Sequence, residues 1–279
     1  MLSINCRSKL LNSTSSLVMG IINVTNDSFY PGSRRRSTVD AMEEITIMVN
    51  DGVDIVDIGG QSTRPGSERL SAEMEINKVN PLIDAALKKF PGLIISIDTY
   101  HAKVAQSAVE LGASMVNDIS AGNMDSTMFK TVASLKVPYV CMHMKGTPDN
   151  MQINPIYDDV SIEVLDFFIA KIDECKRAGI IDVIIDPGFG FGKTIQHNFQ
   201  LLKKLHIFQI LGKPVMVGLS RKASIYKTLN TTSEGALNGT TVMHTLALTN
   251  DANILRVHDV KEAKEVVKLF ETYNASVAS

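Results

Sequence analysis

The chain has 279 residues, of which 44% are hydrophobic, and its formal net charge is −2. A near-neutral charge gives no support for binding to nucleic acid or to an anionic membrane surface. The length exceeds the usual size of one domain, but α/β barrels of about 250 residues fold as single units. These numbers favour an ordinary soluble globular domain of the size of an enzyme.

The cysteines and the apolar segments predict a cytoplasmic location. Cys6, Cys141 and Cys175 lie too far apart for a C-x-x-C pair, and their odd number argues against a disulfide framework. No apolar run reaches the roughly 18 residues of a membrane span. We therefore expect a reducing compartment and no membrane anchor.

The chain divides into a short lead-in and a long regular region. Residues 1–16 are polar, and we expect them to form a small hairpin over one end of the fold. Residues 17–279 alternate between apolar runs and segments of helical periodicity. The predicted strands are 17–24, 53–58, 93–97, 115–119, 137–142, 183–185, 215–219 and 254–257. The predicted helices are 39–51, 71–90, 101–111, 125–135, 158–178, 198–211, 234–250 and 260–273, with Ser71 as the N-cap of the second.

Eight strands that each precede a helix indicate a parallel sheet, because parallel strands need a crossover of about a dozen residues. The number and length of the units predict an α/β fold, a single (β/α)₈ TIM barrel with a short N-terminal extension. An open doubly wound sheet is the alternative, but the chain lacks its Gly-rich dinucleotide turn.

Polar residues occupy the C-terminal ends of the predicted strands. In a barrel all of these ends lie on one rim, which is the face where such enzymes carry their sites. A helix cap would explain any one of them, but capping alone does not explain the whole series. The series is Asn23, Asp57, Asp98, Asn117, His143, Asp186, Ser220, Arg256 and His258.

The basic members of this series suggest a phosphorylated substrate. Arg256 and His258 are two apart, so an extended strand points both in the same direction. With Arg64 and Lys222 they form a basic group suited to phosphate oxygens. Mg²⁺ shares its coordination between a few protein oxygens, phosphate and water, which predicts that Asn23, with Asp27 nearby, holds it.

The acidic and amide members suggest a flat heterocycle. Asp98, Asn117 and Asp186 offer acceptors and one amide donor, and we expect Asp186 to be the most deeply placed of the candidates. Ser220 has no evident partner base, so a Ser-His-Asp arrangement is not supported. The residues therefore favour displacement of a phosphate-type leaving group over covalent catalysis.

The loop in residues 184–194 reads IIDPGFGFGKT and follows a buried strand. Pro187 stands where the phosphate loop needs its first glycine, and the dinucleotide pattern G-x-G-x-x-G is also absent. Its three spaced glycines let the backbone approach a ligand. Asp186 becomes the candidate anchor of this stretch, while Lys193 has no assigned role.

Eight short motifs resemble those of the dihydropteroate synthases of folate biosynthesis, and together they extend from Met19 to the last helix. They are MGIINVTNDSF at 19–29, DIGGQSTRPG at 57–66, SIDT at 96–99, VNDIS at 116–120, MHMKGTP at 142–148, DPGFGFGKT at 186–194, SRK at 220–222 and RVHDV at 256–260. Each motif is short, but all of them in this order form a specific signal.

The resemblance implies a reaction. Members of this family join 6-hydroxymethyl-7,8-dihydropterin diphosphate to 4-aminobenzoate with Mg²⁺, giving 7,8-dihydropteroate and pyrophosphate. The diphosphate leaves before the amine attacks, which agrees with the lack of a general base. Family members are usually homodimers and are inhibited by sulfonamides.

The resemblance also implies site residues, each at a matching motif position. The pterin would be bound by Asp98, Asn117, Asp186 and Lys222. The diphosphate would be bound by Asn23, Thr63, Arg256, Val257 and His258, and Asn23 would be the metal ligand. The 4-aminobenzoate would be bound by Phe29, Arg64, Pro65, Phe191 and Lys222. The implied catalytic residues are Asp98, Asp186, Lys222 and Arg256.

Two other functions stay open: a pterin-dependent methyltransferase that passes a folate methyl group to a corrinoid, and a non-catalytic pterin-binding paralogue. A methyltransferase would have no reason to keep the motif at 220–222 or the loop that begins at Asn23. Departures from the family pattern bear on sulfonamide sensitivity and on 4-aminobenzoate affinity. They are Asn26, Tyr30, Pro31, Gln61 and Ala223.

Overall fold

The computed structural model of the protein describes residues 2–7, 9–24, 38–61 and 69–276. Two short strands at the N-terminus, β1 (Leu2–Cys6) and β2 (Lys9–Ser13), pair in antiparallel orientation. Eight further strands pair in parallel to form a second sheet. They are β3 (Leu17–Asn23), β4 (Ile55–Gly59), β5 (Ile94–Asp98), β6 (Met115–Asp118), β7 (Tyr139–Met142), β8 (Val183–Asp186), β9 (Met216–Val217) and β10 (Ile254–Val257).

The eight-stranded sheet closes on itself. Its strands follow the order β8-β7-β6-β5-β4-β3-β10-β9. At the two ends of this order, Ile185 and Val215 form a parallel bridge, and the Ile185 N–H donates to the carbonyl of Pro214 at 2.9 Å. The predicted (β/α)₈ barrel is therefore confirmed, and the open doubly wound alternative is wrong.

Helices surround the barrel. They are α1 (Thr38–Asn50), α2 (Ala72–Lys89), α3 (Ala102–Leu111), α4 (Met128–Leu135), α5 (Val160–Ala178), α6 (Ile195–Lys203), α7 (Ala223–Tyr226), α8 (Leu237–Thr249) and α9 (Val260–Ala275). Two 3₁₀ helices cover Leu205–Leu211 and Glu234–Ala236. As predicted, Ser71 caps α2 by accepting the N–H of Met74. None of the helices in the described ranges is long and apolar enough to cross a membrane.

One predicted helix is wrong in its extent. The sequence suggests a single helix over residues 198–211, but α6 begins at Ile195 and ends at Lys203. Thr194 starts α6 early, because its hydroxyl accepts the N–H of His197 in a capping box. At Lys204 the backbone has φ −105° and ψ 16°, outside the α region, and the chain continues as a 3₁₀ helix.

The N-terminal hairpin covers the bottom of the barrel, as expected for the lead-in. Ile4 and Cys6 are buried and pack with Met19, Met216 and Ile254 inside the barrel. The interior near the N-terminal ends of the strands is thus filled with apolar side chains. The division of the chain at residue 17 into two units stays a prediction.

Alternation along each strand brings polar side chains to the opposite end of the barrel. In β5, Ile95 and Ile97 pack outwards with the helices, whereas Ile94 joins the barrel interior. Asp98 has the same parity as Ile94, and it is paired in register with Asn117 of β6. Because every second residue of β5 points into the barrel, the side chain of Asp98, the last residue of the strand, lies at the barrel mouth.

Candidate active site

A cavity of about 980 Å³ opens at the C-terminal rim of the barrel. Its lining includes six of the predicted site residues: Asn23, Asp98, Phe191, Lys222, Arg256 and His258. Strands β3, β5 and β10 and the loops after β8 and β9 supply them. The structure therefore brings together residues that are up to 235 positions apart, from Asn23 to His258.

Arg256 is held beneath this cavity by two carboxylates. Its Nε donates to Asp57 Oδ2 at 2.7 Å and its Nη2 donates to Asp98 Oδ2 at 2.6 Å. Asn117 Nδ2 also donates to Asp57 Oδ2, at 2.8 Å. These four residues form a connected network, which we call the Arg256 network.

Asp57 belongs to the strand-end series of the sequence, but sequence reasoning assigned it no role in the site. It is 0% exposed, against 5% for Asp186, so the expectation that Asp186 lies deepest is wrong. A fully buried carboxylate needs a cationic or hydrogen-bonding partner, and Asp57 binds both Arg256 and Asn117. Its position near a strand end was visible in the sequence, but its partners become evident only when the strands are arranged in the barrel.

Burial shifts the protonation equilibria within the network. It raises the pKa of Asp98 to about 7, although the nearby Arg256 opposes this shift. Burial disfavours the charged form of Arg256, but Asp57 and Asp98 outweigh that effect and raise the pKa of Arg256 above its ordinary value. Arg256 is therefore a permanent cation, whereas Asp98 can change its charge near neutral pH.

Asp186 and Lys222 lie on the neighbouring part of the rim. Asp186 Oδ1 accepts the N–H of Gly188 at 2.8 Å. Burial raises the pKa of Asp186, and Lys222 acts in the opposite direction. Burial lowers the pKa of Lys222 to about 8, and Asp186 partly offsets this. Each of the two side chains thus stabilises the charged form of the other, in a part of the rim where burial disfavours both charges.

An apolar wall completes this side of the mouth. Lys222 Nζ lies 4.7 Å from the centroid of the Phe191 ring, a cation–π distance, and it donates to the carbonyl of Phe189. Phe191 also packs against a small cluster that contains Tyr100, Ile119 and Met142. A flat ring would find an apolar surface here beside hydrogen-bonding groups.

Ser220 has a base as its neighbour, contrary to the expectation from sequence. His258 Nδ1 lies 3.2 Å from Ser220 Oγ, and the His258 backbone N–H donates to the same oxygen at 3.3 Å. Burial and the charge of Arg256 lower the pKa of His258 to about 4, so the ring is neutral at pH 7. The adjacent acid, Asp259, accepts two hydrogen bonds of 2.8 Å from Arg221. Asp259 is thus engaged elsewhere, and a Ser-His-Asp triad is not assembled from it.

Asp118 is explained by local structure. Its carboxylate accepts the N–H groups of Ser120 and Gly122 and the hydroxyl of Tyr139, at 2.7–2.8 Å. The two backbone N–H groups belong to the turn after β6, and Tyr139 lies on the neighbouring strand β7. Asp118 therefore stabilises the turn after β6, and its carboxylate oxygens are bonded within the protein and are not assigned to the site.

Asn23 ends β3 and lines the cavity. In the described ranges of the chain, no group of three or more His, Cys, Asp or Glu side chains could hold a metal ion. The remaining predicted residues lie outside the described residues: Asn26, Asp27, Phe29, Tyr30, Pro31, Thr63, Arg64 and Pro65. Their assignments stay predictions.

The chain is similar to known proteins over most of its length. The family described as pterin binding enzyme matches residues 19–258. The dihydropteroate synthase of Escherichia coli K12 is 40% identical over 256 residues, which cover 91% of this chain and 90% of that protein.

Two solved structures resemble the whole chain. The Yersinia pestis dihydropteroate synthase, in complex with a sulfonamide drug, has a TM-score of 0.94 and 35% identity, and the match covers 99% of this chain and 100% of that one. The Xanthomonas albilineans dihydropteroate synthase, in complex with 7,8-dihydropteroate, has a TM-score of 0.88 and 35% identity, with 99% and 100% covered.

Proposed function

This chain belongs to the dihydropteroate synthase family, and from that membership we propose how its barrel mouth works. It condenses 6-hydroxymethyl-7,8-dihydropterin diphosphate with 4-aminobenzoate, giving 7,8-dihydropteroate and pyrophosphate in folate biosynthesis. The observation that carries the proposal is the Arg256 network beneath the cavity, with Asp186 and Lys222 beside it. This set offers acidic groups for a heterocycle and basic groups for a diphosphate in one place.

The pterin ring binds to the acidic part of the mouth. An amino-pyrimidinone edge carries two parallel N–H donors, and a carboxylate accepts both. Asp186 has acceptor capacity beyond the single N–H that it takes from Gly188. Asn117 is fixed by its bond to Asp57, so its amide oxygen is oriented before the ring arrives. Burial of Asp186 and Asn117 means that an unmatched ring would leave polar groups unpaired, which supports selectivity.

The diphosphate binds to the basic part of the mouth. Arg256 uses two of its five N–H groups on Asp57 and Asp98, so further donors remain for phosphate oxygens. His258 follows β10 and Ser220 follows β9, and the two side chains lie together, so the hydroxyl and ring N–H groups suit the same oxygens. Val257 would contribute through its backbone. The two carboxylates fix the guanidinium plane, so little reorganisation is needed when the leaving group develops charge.

The displacement is dissociative. The bond between the pterin methylene carbon and the diphosphate oxygen breaks, and its electron pair leaves with the diphosphate. The amine nitrogen of 4-aminobenzoate then attacks the methylene cation and loses a proton to water. Asp98 and Asp186 stabilise the cation while they are ionised, and Lys222 and Arg256 stabilise the departing anion. Such a route needs no strong base, which agrees with the neutral His258.

Mg²⁺ fits the donor set of the mouth. Mg²⁺ is usually bound by one or two protein oxygens, together with substrate phosphates and water. Asn23 supplies one amide oxygen at the cavity wall, and the described residues hold no denser cluster of ligands. Asn23 would therefore hold the ion against the diphosphate. When bound, Mg²⁺ would neutralise the charge of the leaving group.

The chain assembles as a homodimer through α8. This helix, LNGTTVMHTLALT, contains no Asp, Glu, Lys or Arg. Its outward residues are uncharged, and two of them are apolar: Val242 is 52% exposed and Leu246 is 44% exposed. Homodimer interfaces are depleted in charge at their cores, and a two-fold interface buries the same face of both copies. The α8 face has this character.

The protein acts in the cytoplasm. Cys6, Cys141 and Cys175 are all buried and carry free thiols. Free thiols persist where the compartment is reducing.

The function is tested by measuring pyrophosphate release from the pterin diphosphate with Mg²⁺, with and without 4-aminobenzoate, and by identifying the pterin product. We expect release that depends on the amine, together with 7,8-dihydropteroate. Methyl transfer from a folate to a corrinoid without pyrophosphate release would instead support the methyltransferase. Tight pterin binding without any turnover would support the non-catalytic paralogue.

A further inference from the structure

The loop between β8 and α6 is held by side chains at five consecutive carbonyls. Lys193 Nζ donates to the carbonyls of Gly188 at 2.9 Å and of Phe191 at 3.1 Å. Lys222 donates to the carbonyl of Phe189. The remaining two carbonyls, of Gly190 and Gly192, accept from Gln152 Nε2 at 2.6 Å and from the Tyr157 hydroxyl at 2.8 Å. Loops are usually solvated at such carbonyls, so this one is fixed to an unusual degree.

Lys193 is the centre of this arrangement. Its side chain is buried, and its Nζ also lies 2.9 Å from His143 Nδ1. Its Nζ thus has three partners within hydrogen-bonding distance, two carbonyls and one ring nitrogen. Burial lowers the pKa of Lys193 well below its ordinary value, and the charge of Asp186 opposes this shift. His143 is neutral, because burial and the charge of Lys193 lower its pKa to about 2. When Lys193 is protonated, its Nζ donates to Nδ1, which places the His143 proton on Nε2.

Close backbone packing makes the loop position sensitive to Lys193. Gly188 has φ +70°, and a Cβ there would lie 1.9 Å from the carbonyl oxygen of His143. Gly192 has φ +62°, and its Cβ would lie 2.4 Å from the carbonyl oxygen of Lys145. The loop thus lies directly on the segment after β7 at both points. Without the Lys193 amino group, the loop would lose its link to His143, and only Gln152 and Tyr157 among the side chains named above would still join it to this segment.

The loop orients two residues of the site: Phe191, which lines the cavity, and Asp186, which ends β8 at the same rim of the barrel. The Gly188 N–H fixes Asp186 Oδ1, and Phe191 provides the ring beside Lys222 Nζ. Lys193 binds Gly188 and Phe191 directly through their carbonyls. A shift of the loop would therefore move the proposed pterin anchor and the proposed 4-aminobenzoate wall together.

We propose that Lys193 is a positioning residue of the condensation, which clamps the 188–192 loop onto His143 and so sets Asp186 and Phe191 for the two substrates. Lys193 borders the cavity but is only 3% exposed, and its Nζ is bonded within the protein, so it acts through the loop. The inference rests on the proposed function, since it assigns a partner to residues of that site.

Lys193→Met tests this inference, because methionine keeps most of the length and removes all three donors. Lys203→Met, on the exposed side of α6, is the matched control. We expect Lys193→Met to raise the KM for 4-aminobenzoate and the Kd for pterin. The combined loss in kcat/KM should be roughly 100-fold, as for other small misplacements of a reacting group. The control should match the wild type.

The measurements are made at a temperature where circular dichroism shows each variant to be folded. A variant that loses only melting temperature, with both KM values and the pterin Kd unchanged, would overturn the positioning role. If Lys193→Met does not fold, Lys193→Gln keeps two donors and serves the same comparison, with a smaller rise in both constants expected. Pterin binding is measured without turnover, so the outcome is separate from that of the proposed function. If the wild-type protein forms no amine-dependent product, that result refutes the proposed function and leaves the pterin-binding comparison between the variants intact.

Discussion

Asp57→Asn probes the Arg256 network directly. The substitution keeps the shape of the side chain but removes a fully buried charge from the carboxylate that binds both Arg256 and Asn117. Removing one partner of a buried ion pair costs about 3–5 kcal/mol. Because asparagine keeps a neutral acceptor and Asp98 remains bound to Arg256, we expect about 3 kcal/mol, at the lower end of that range.

The loss is measured by urea unfolding and by thermal melting. For a chain of this size, about 3 kcal/mol corresponds to a fall of roughly 6–12 °C in melting temperature. Asp84→Asn is the matched control, since Asp84 pairs with Lys88 on the surface, where the two side chains are 50% and 75% exposed. Exposed pairs contribute about 0–1 kcal/mol. If Asp57→Asn and Asp84→Asn lower the free energy of unfolding by the same small amount, the Arg256 network is not an important source of stability.

A second variant separates stability from catalysis. Arg256→Met leaves Asp57 and Asp98 without their cation and should destabilise the fold strongly. The double variant, Asp57→Asn with Arg256→Met, removes the charge that Arg256 had compensated and should be more stable than Arg256→Met alone. Its kcat/KM should stay low, because the cation for the diphosphate is gone. Recovery of activity along with stability would contradict the role proposed for Arg256.

The other predictions concern pH, assembly and the metal. Burial raises the pKa of Glu75 from its ordinary value of 4.5 to about 8. Between these two values the folded protein keeps a proton on Glu75 that the unfolded chain has lost. The free energy of unfolding therefore falls as the pH rises from about 5 to 8. Glu75→Gln should therefore gain stability relative to the wild type across this window in urea titrations, and a constant difference would refute the assignment. Val242→Glu with Leu246→Glu should convert the dimer into monomers in sedimentation at a fixed concentration, whereas an unchanged dimer would exclude the α8 face. Asn23→Ala should raise the Mg²⁺ concentration that gives half-maximal rate by about 10-fold, the lower range for altered metal environments, and an unchanged Mg²⁺ titration would remove Asn23 from the metal site.

Several features of this fold follow from local pattern. The apolar runs and helical periods predicted the strands and helices around the barrel, because burial on both faces of a parallel strand demands continuous apolar residues. The cap at Ser71 was also predictable, since a capping hydroxyl acts within three residues. Errors occurred where the pattern was too short to carry a period. The four residues of α7 and the break at Lys204 are examples.

The candidate site was predictable in part. The strand-end rule selected Asp98, Asn117, Asp186 and Arg256 correctly as residues of one rim. It could not show that Arg256 is bound by Asp57, 199 positions away, or that His258 approaches Ser220. The first contact requires β10 to lie beside β3, which in turn pairs with the Asp57 strand β4, and the second requires β10 to lie beside β9.

The sequence alone determined the class of fold, the order of its elements and the chemistry available at the rim, because hydrophobic period and residue type are local properties. The tertiary structure decided which charges compensate one another and which side chains hold the loops. Burial depth is a property of the closed barrel and not of any segment, so the depth of Asp57 and the three acceptors around Lys193 could not be read from the chain. A buried charge is stable only with its partners, and the closed barrel determines which partners are within reach.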